Sequence, residues 1–360
     1  MARTRIAVVG CGKLGGYHAN LAAKLDAFDL VAVIDPIAAS RAALAEKTGA
    51  PAVESVAAVL DQIDAAVVAT PTATHAETAR LLLEAGKHVL VEKPIAPSVE
   101  EADRMVRAAE AAGCVLQVGH VERFNPALSA VPGGIQPPRF IQATRSSGFT
   151  FRSIDIGVVM DLMIHDIDLV LSLTRSRVVS VAAQGLSVLG DNEDVAAAQL
   201  TLANGCVAQL NAARVSPEPI RQMQCWSDDG YTAFDFATGS AKTVRPSSQV
   251  LQRQFSVATV TASQRERLVA GGLFTDVLVT TEHKAPAINA IEHELLDFDR
   301  AIRTHTEARV SGQQGRNAVA VATCIIEAIA HHRWDGVGSS RVGPFAVPFG
   351  DTAPTLRHAA

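Results

Sequence analysis

The feature that most constrains the fold lies near the amino terminus, where a short apolar run passes directly into a glycine-rich turn. The turn is Gly10-Cys11-Gly12-Lys13-Leu14-Gly15, and an amphipathic helical pattern follows it. In a strand–turn–helix unit these three glycines provide a tight turn, close approach to a pyrophosphate, and helix-to-strand packing. The spacing therefore predicts a dinucleotide site, with cofactor contacts at Gly10, Gly12, Lys13, Leu14 and Gly15.

The same alternation of short apolar runs and longer amphipathic segments continues to residue 118. The apolar runs are RIAVVG, LVAVID, AAVVAT, HVLVEK and VLQVG, and helical patterns cover residues 14–24, 38–47, 74–84 and 98–112. The last helix opens with Ser98 and Glu101 in capping-box spacing. Consecutive βαβ units of this kind form a parallel sheet, so we predict a Rossmann domain over residues 1–119.

A second domain, residues 120–360, is predicted after the proline- and glycine-rich segment VPGGIQPP. It begins with a helix at about 154–173 and continues with strand-like runs, with Asn204-Gly205 at a hairpin turn. Two helices at about 287–303 and 315–332 follow. We predict an α/β chain whose C-terminal α+β domain has an open, mainly antiparallel sheet. Its exposed face is expected to form a homodimer or homotetramer.

Asp35 ends the second predicted strand, 20 residues after Gly15, where a carboxylate binds an adenosine ribose. Such a carboxylate repels the extra phosphate of NADP, so NAD is favoured, although Arg41 leaves NADP open. Thr70 and Pro71 follow the next strand at the edge where ligands bind, and we assign both, with His75, to the cofactor site.

Composition excludes several classes of protein. With 48% hydrophobic residues and a formal net charge of −5, the chain has no bulk positive field, so nucleic acid is not an expected partner. The longest apolar stretch, residues 318–330, contains Glu327 and is shorter than the roughly 20 residues of a membrane helix, so no membrane insertion is expected. Five scattered cysteines suggest neither zinc site nor disulfide framework and fit a reducing cytoplasm.

Glu92-Lys93-Pro94 ends a predicted buried strand at the same sheet edge as the glycine turn. A surface ion pair is the alternative, but such pairs seldom follow four apolar residues of a parallel strand. We therefore place Glu92 and Lys93 in the cofactor site, with Lys93 available for chemistry.

Asp161 and His165 lie four residues apart in the apolar segment VVMDLMIHDIDLVLSL, on one face of a helix, and Asp168 follows. A buried histidine near a carboxylate is a natural general base. A core histidine with its own partners is one alternative, and a metal site formed by these three residues is another. Hydride chemistry needs no metal, so none is predicted, and the role of Asp168 stays open.

With these motifs in order, residues 5 to about 332 resemble the Gfo/Idh/MocA oxidoreductases. The resemblance implies an NAD(P)-dependent dehydrogenase acting on CH–OH groups. It implies that Lys93 lies beside the reacting hydroxyl, that His165 is the acid/base and that Asp161 assists it. His165 would then take the hydroxyl proton as hydride leaves for nicotinamide, while Lys93 stabilises the developing alkoxide.

Two segments, GHVERFNPAL at 119–128 and FRSIDIGVVMDLMIHDIDL at 151–169, are similar to family members that act on sugar nucleotides. This similarity implies oxidation of the 3-hydroxyl of a UDP-N-acetylhexosamine, a step toward lipid A. The alternatives are an inositol or free-sugar dehydrogenase and a non-catalytic dinucleotide-binding regulator. A pyrophosphate-bearing substrate needs donors at the pocket mouth. We therefore expect Arg145 and Arg152 to contact the pyrophosphate. Further substrate contacts are expected from Arg123, Asn125, Asp161 and His165.

Overall fold

A computed structural model describes residues 3–151, 154–332 and 334. Its first part, residues 4–119, contains a six-stranded parallel sheet. Its strands follow the order β3-β2-β1-β4-β5-β6. They are β1 Thr4–Val9, β2 Phe28–Ile34, β3 Ala52–Val53, β4 Ala65–Val68, β5 His88–Glu92 and β6 Leu116–Gly119. The helices between them are α1 Lys13–Ala22, α2 Ala38–Thr48, α3 His75–Glu84 and α4 Val99–Ala112.

This sheet confirms the predicted Rossmann arrangement. The β1 and β4 strands are buried along almost their whole length, as expected for parallel strands covered by helices on both faces. The Ser98 side chain accepts a hydrogen bond from Glu101 N at 3.2 Å, as the cap predicts. The strand order reverses between β1 and β4, so ligands are expected in the crevice at the carboxyl ends of these strands.

An eight-stranded mixed sheet forms most of the second half, in the order β14-β13-β12-β11-β7-β10-β9-β8. All neighbouring strands are antiparallel except β7 and β10, which run parallel. The strands are β7 Phe140–Ser146, β8 Val178–Leu186, β9 Val195–Leu202, β10 Val207–Ala213, β11 Ile220–Ser227, β12 Gly230–Asp235, β13 Ser240–Pro246 and β14 Leu278–Lys284. The predicted mainly antiparallel sheet is confirmed, and Asn204-Gly205 lies in the β9–β10 hairpin, with Gly205 at a φ of 84°.

The remaining helices are α5 Pro126–Ser129, α6 Ile164–Thr174, α7 Ser248–Leu251, α8 Ala262–Arg267, α9 Ala290–Thr304 and α10 Gly312–His331. Leu295 and Phe298 of α9 pack in the hydrophobic core beside Ile6 and Val8 of β1. Residues Gly312 and Gly315 of α10 lie against Leu116 and Val118 of β6. The two closing helices therefore contact the first sheet, and the boundary at residues 119 and 120 remains a prediction.

The helix that carries Asp161 and His165 begins later than the predicted residue 154. A π turn, Val159–Met163, precedes α6. Glu193, from the segment before β9, occupies the space beside Gly157 and accepts a hydrogen bond from Val159 N at 3.1 Å. A side chain distant in sequence thus caps this helix, which is why local sequence placed its start wrongly.

Two further predictions from the sequence concern membrane-spanning helices and disulfide bonds. Among the described helices, none is both long enough and apolar enough to cross a membrane. All five cysteines are free thiols.

Candidate active site

The glycine turn between β1 and α1 is held by close backbone packing. Gly10 has a φ of +96°, and a Cβ on it would lie 2.5 Å from the Ala69 carbonyl oxygen. A Cβ on Gly15 would lie 1.8 Å from the Gly10 carbonyl oxygen. Both positions therefore exclude a side chain because the backbone itself fills the space.

Gly12 differs because a Cβ there would meet nothing within 4 Å. It precedes α1, whose first turn has no side-chain cap and no acidic residue. The first N–H groups of a helix are unpaired and carry partial positive charge, so they bind anions. Open space above Gly12, with exposed Lys13 and Leu14 beside it, fits the pyrophosphate of a dinucleotide.

Asp35 follows β2 and anchors this turn. Its carboxylate accepts hydrogen bonds from Cys11 N and Ile37 N, both at 2.8 Å. Each carboxylate oxygen can accept further bonds, so a ribose hydroxyl can still be bound here. Arg41 lies next to it and donates to the backbone oxygens of Asp35 and Pro36, at 3.1 and 2.9 Å.

His75 joins the ends of two strands. Its ring nitrogens lie 2.9 Å from the carbonyl oxygens of Pro94, after β5, and Thr70, after β4. Burial lowers the pKa of His75. A neutral ring carries one N–H, so it donates to only one of these two carbonyl oxygens and lies in contact with the other. Pro71 is exposed at this edge. A direct cofactor contact by His75 remains a prediction.

Glu92 is 7% exposed, and its carboxylate lies 2.8 Å from His18 Nε2 on α1. Burial opposes ionisation, but the hydrogen bond and charge of His18 outweigh it, so the pKa of Glu92 lies below its ordinary range. Glu92 is therefore a buried anion under the glycine turn and not half of a surface ion pair.

Lys93 directly follows β5, and its side chain contacts the π turn Val159–Met163. Its Nζ donates to the Asp161 carbonyl oxygen at 2.5 Å and lies 3.1 Å from Asp161 Oδ1. Two of the three ammonium donors are thus occupied, and one remains for a ligand oxygen. Both side chains are partly exposed, Lys93 at 14% and Asp161 at 21%.

His165 follows one turn later and is partly exposed. Its Nδ1 is buried without a hydrogen-bond partner in the described chain, and its Nε2 is not among the buried atoms. Burial lowers its pKa well below the ordinary range, and the charges of Lys93 and Arg145 lower it further. The ring is therefore neutral and can accept a proton. Although both residues are described, no hydrogen bond joins it to Asp161, because the π turn changes the spacing that an α-helix would give.

His120, a residue that sequence reasoning missed, lies beside His165. The two ring centroids are 6.2 Å apart with planes near perpendicular. His120 follows β6 at the same sheet edge as Thr70 after β4 and Lys93 after β5. The reasoning applied to those two residues could have found it.

Three residues expected to bind substrate have other partners. The Arg123 guanidinium lies 3.3 Å from Asp168 Oδ1 and donates to the Arg309 carbonyl oxygen at 3.2 Å. The Asn125 side chain donates to Glu122 and to the Phe236 carbonyl oxygen, and it caps α5. Substrate contacts by Arg123 and Asn125 remain predictions.

Arg145, the third of these residues, is 3% exposed, whereas we expected it at the mouth of the pocket. It donates to both carboxylate oxygens of Asp166, at 3.1 and 2.9 Å, and to Glu122 at 2.7 Å. The charges of these two carboxylates outweigh burial and raise the pKa of Arg145. The difference arises because β7 points this side chain into the core. Arg152 lies outside the described residues.

A metal site was the remaining alternative for Asp161, His165 and Asp168. Within the described ranges, no group of three His, Cys, Asp or Glu side chains is arranged to hold a metal ion.

Comparison with protein families matches two consecutive parts of the chain. Residues 4–120 match the oxidoreductase family with an NAD-binding Rossmann fold, and residues 135–231 match the GFO/IDH/MocA C-terminal domain.

Comparison with individual proteins gives similar oxidoreductases. UDP-N-acetylglucosamine 3-dehydrogenase from Acidithiobacillus ferrooxidans is 35% identical over 323 residues, covering 89% of this chain and 96% of that protein. A solved structure of that enzyme superposes with a TM-score of 0.80, at 34% identity, over 91% of this chain and 98% of the other. A scyllo-inositol 2-dehydrogenase (NAD(+)) from Bacillus subtilis is 31% identical over 60% of this chain and 68% of that protein. This chain belongs to the Gfo/Idh/MocA family of oxidoreductases and is a dehydrogenase of CH–OH groups.

Proposed function

We propose that the chain oxidises the 3-hydroxyl of a UDP-N-acetylhexosamine with NAD, giving a 3-keto sugar nucleotide. The observation that carries the proposal is similarity over 89% of the chain to an enzyme of that activity, together with the Lys93–Asp161 pair and His165 one turn after it. The product suits amination on the way to lipid A.

Each side chain has a distinct part in the proposed reaction. Bound nicotinamide supplies a hydride acceptor. His165 takes the hydroxyl proton on Nε2, because its ring is neutral and Nε2 is not buried. Lys93 donates its remaining N–H to the same oxygen and stabilises the negative charge that develops there. Asp161 holds the ammonium in place through its carboxylate and carbonyl oxygens.

NAD is proposed over NADP because the Asp35 carboxylate faces the glycine turn. A 2′-phosphate next to it would meet like charge. Arg41 is the competing influence, since it lies beside the Asp35 backbone. Titration of NAD and NADP against the wild type, Asp35→Ala and Arg41→Ala separates the two: we expect D35A to weaken NAD binding, and R41A to leave it almost unchanged. Tighter NADP than NAD binding by the wild type would contradict the proposal.

The substrate is tested by following NADH formation with three substrates under matched conditions. UDP-N-acetylglucosamine is expected to reduce NAD, whereas free N-acetylglucosamine and myo-inositol are expected to be poor. The inositol relatives make an inositol dehydrogenase the second candidate function. Efficient oxidation of myo-inositol without turnover of the nucleotide sugar would select that candidate and leave the dehydrogenase assignment intact.

We further propose that the outer face of the second sheet joins copies of the chain into a dimer or tetramer. A row of glutamines crosses the central strands of this face, with Gln142 donating to Gln209 at 3.0 Å and Gln209 to Gln199 at 3.4 Å. Such a face, with uncharged polar side chains, suits pairing with an identical face. A monomer in sedimentation at micromolar concentration would rule this assembly out.

A further inference from the structure

Four buried polar atoms without hydrogen-bond partners in the described chain lie on three residues next to the active site. They are both ring nitrogens of His120, Nδ1 of His165 and Oδ2 of Asp168. Buried polar atoms are nearly always paired with protein or ordered water, so four such atoms among three neighbours point to one shared function.

The three residues can be ordered starting from His165, the residue that contacts the substrate in the proposed reaction. In the proposed reaction His165 takes the substrate proton on Nε2, so its buried and unpaired Nδ1 is the nitrogen left to pass a proton on. The edge-on ring of His120 comes next, at a centroid distance of 6.2 Å. Asp168, on α6, pairs at 3.3 Å with Arg123, whose backbone N donates to the His120 carbonyl oxygen at 3.0 Å. The three neighbouring residues are therefore taken in the order His165, His120, Asp168.

Asp168 is 2% exposed and lies at the wall of a groove. A groove of about 970 Å³ between α6, β8 and α10 is lined by Asp168 and by Arg123, which pairs with it at 3.3 Å. Lys93, Asp161 and His165 do not line that groove. The groove is therefore separate from the cluster of reacting groups.

We propose that His120 and Asp168 relay the substrate proton from His165 to this groove, with water bridging the two rings. As Nε2 of His165 takes the hydroxyl proton, Nδ1–H passes a proton to one nitrogen of His120. The other nitrogen of His120 releases its proton toward Asp168 and the groove. One proton enters the chain and one leaves, while hydride goes to the nicotinamide, so no further reactant is needed. The proton can then depart while substrate and cofactor still cover the cleft.

The relay rests on the proposed acid/base role of His165. It also gives a reason for neutral rings: burial lowers the pKa of both histidines, so each ring keeps one nitrogen free to accept a proton. The charged and titratable groups that act on the two rings are Glu92, Lys93, Arg123, Arg145, Asp168 and Arg221.

The test is a single-turnover experiment in weakly buffered solution, with a pH indicator reporting proton release and absorbance reporting NADH. In the wild type, proton release should keep pace with NADH formation. In His120→Gln and Asp168→Asn it should lag until product leaves, and the rate of NADH formation should fall by about tenfold or more.

His88→Gln is the matched control. His88 is at the opposite end of β5, half-buried, and its Nδ1 accepts a hydrogen bond from Val115 N at 2.9 Å. This variant should behave as the wild type. Prompt proton release and an unchanged rate in folded H120Q and D168N would overturn the relay. A fully active His165→Asn would instead overturn the proposed acid/base, which keeps the two failures apart.

Discussion

Lys93 Nζ lies 3.1 Å from Asp161 Oδ1, so the ammonium at the end of a Rossmann strand is paired with a carboxylate from the part of the chain that follows the Rossmann sheet. The pair bridges the two parts of the protein at the site of the proposed reaction. Because Asp161 also gives its carbonyl oxygen at 2.5 Å, the position of Nζ is fixed before any ligand arrives. Preorganised charge of this kind stabilises a transition state without reorganisation during the reaction.

Lys93→Met should keep NAD binding and lower kcat by about 100-fold or more, because one positive charge is lost where the alkoxide develops. Steady-state kinetics with saturating NAD measure this. Lys284→Met, an exposed lysine at the end of β14, is the control and should change neither constant. Wild-type turnover in K93M would remove Lys93 from the mechanism.

The acid limb of kcat/KM should lie below the ordinary pKa range of histidine. Burial, and then the positive charges of Lys93 and Arg145, favour the neutral ring of His165, so the base stays unprotonated to lower pH. Removing one of those charges in Lys93→Met should move the residual acid limb to higher pH. A limb that does not move between the two proteins would show that another group controls it.

Two glycines of the same turn should fail in different ways. Gly12→Ala should fold with an unchanged melting temperature but weaken NAD by at least about tenfold, because its new methyl occupies the space proposed for the pyrophosphate. Gly15→Ala should instead lower the melting temperature, since its methyl would overlap the Gly10 carbonyl oxygen. Calorimetry and NAD titration of both variants distinguish the two effects. Unweakened NAD binding by G12A would place the cofactor elsewhere.

Arg145→Met should lower the free energy of unfolding by about 3–5 kcal/mol, because it leaves Glu122 and Asp166 as buried carboxylates without their cation. Urea denaturation measures this loss. Arg139→Ala breaks an exposed pair with Asp228 and should have little measurable effect. A stable R145M protein with a selectively raised KM would favour the substrate contact first expected from the sequence.

Glu294→Gln should make the protein more stable at pH 8 than the wild type, with the difference shrinking toward pH 5. Burial, and then the charges of Glu92 and Asp297, raise the pKa of Glu294 well above its ordinary range. The folded chain therefore holds a proton that the unfolded chain releases, and wild-type stability falls as pH rises through that window, by up to about 1.4 kcal/mol per pH unit.

Denaturation at several pH values tests the Glu294 prediction. Glu292→Gln, on the same helix but not buried, is the control and should show no such trend. Parallel pH curves for E294Q and the wild type would mean that Glu294 is ionised in the folded protein.

Local sequence determined the architecture of the first half. Alternating apolar and amphipathic periods specify strands and helices through the burial of one face, and the glycine spacing reflects steric limits within one turn. The carboxyl ends of parallel strands meet at one edge, so the sequence alone was enough to place Asp35, Thr70 and Lys93 at the same edge of the sheet. The capping spacing of Ser98 and Glu101 was equally local, and it is confirmed.

The tertiary structure decided which polar groups are paired. Arg145 meets Glu122 and Asp166 only because β7 packs against α6 and the turn after β6, and nothing in its own neighbourhood distinguishes it from a surface arginine. Glu193 accepts a hydrogen bond from Val159 N, more than 30 residues away in sequence, at the start of the helical segment before α6. His120 likewise lies beside His165 because elements distant in sequence pack together. Periodicity reports burial of a face, whereas the pairing of buried charges depends on contacts between elements distant in sequence, and these form only when the sheets and helices are packed together.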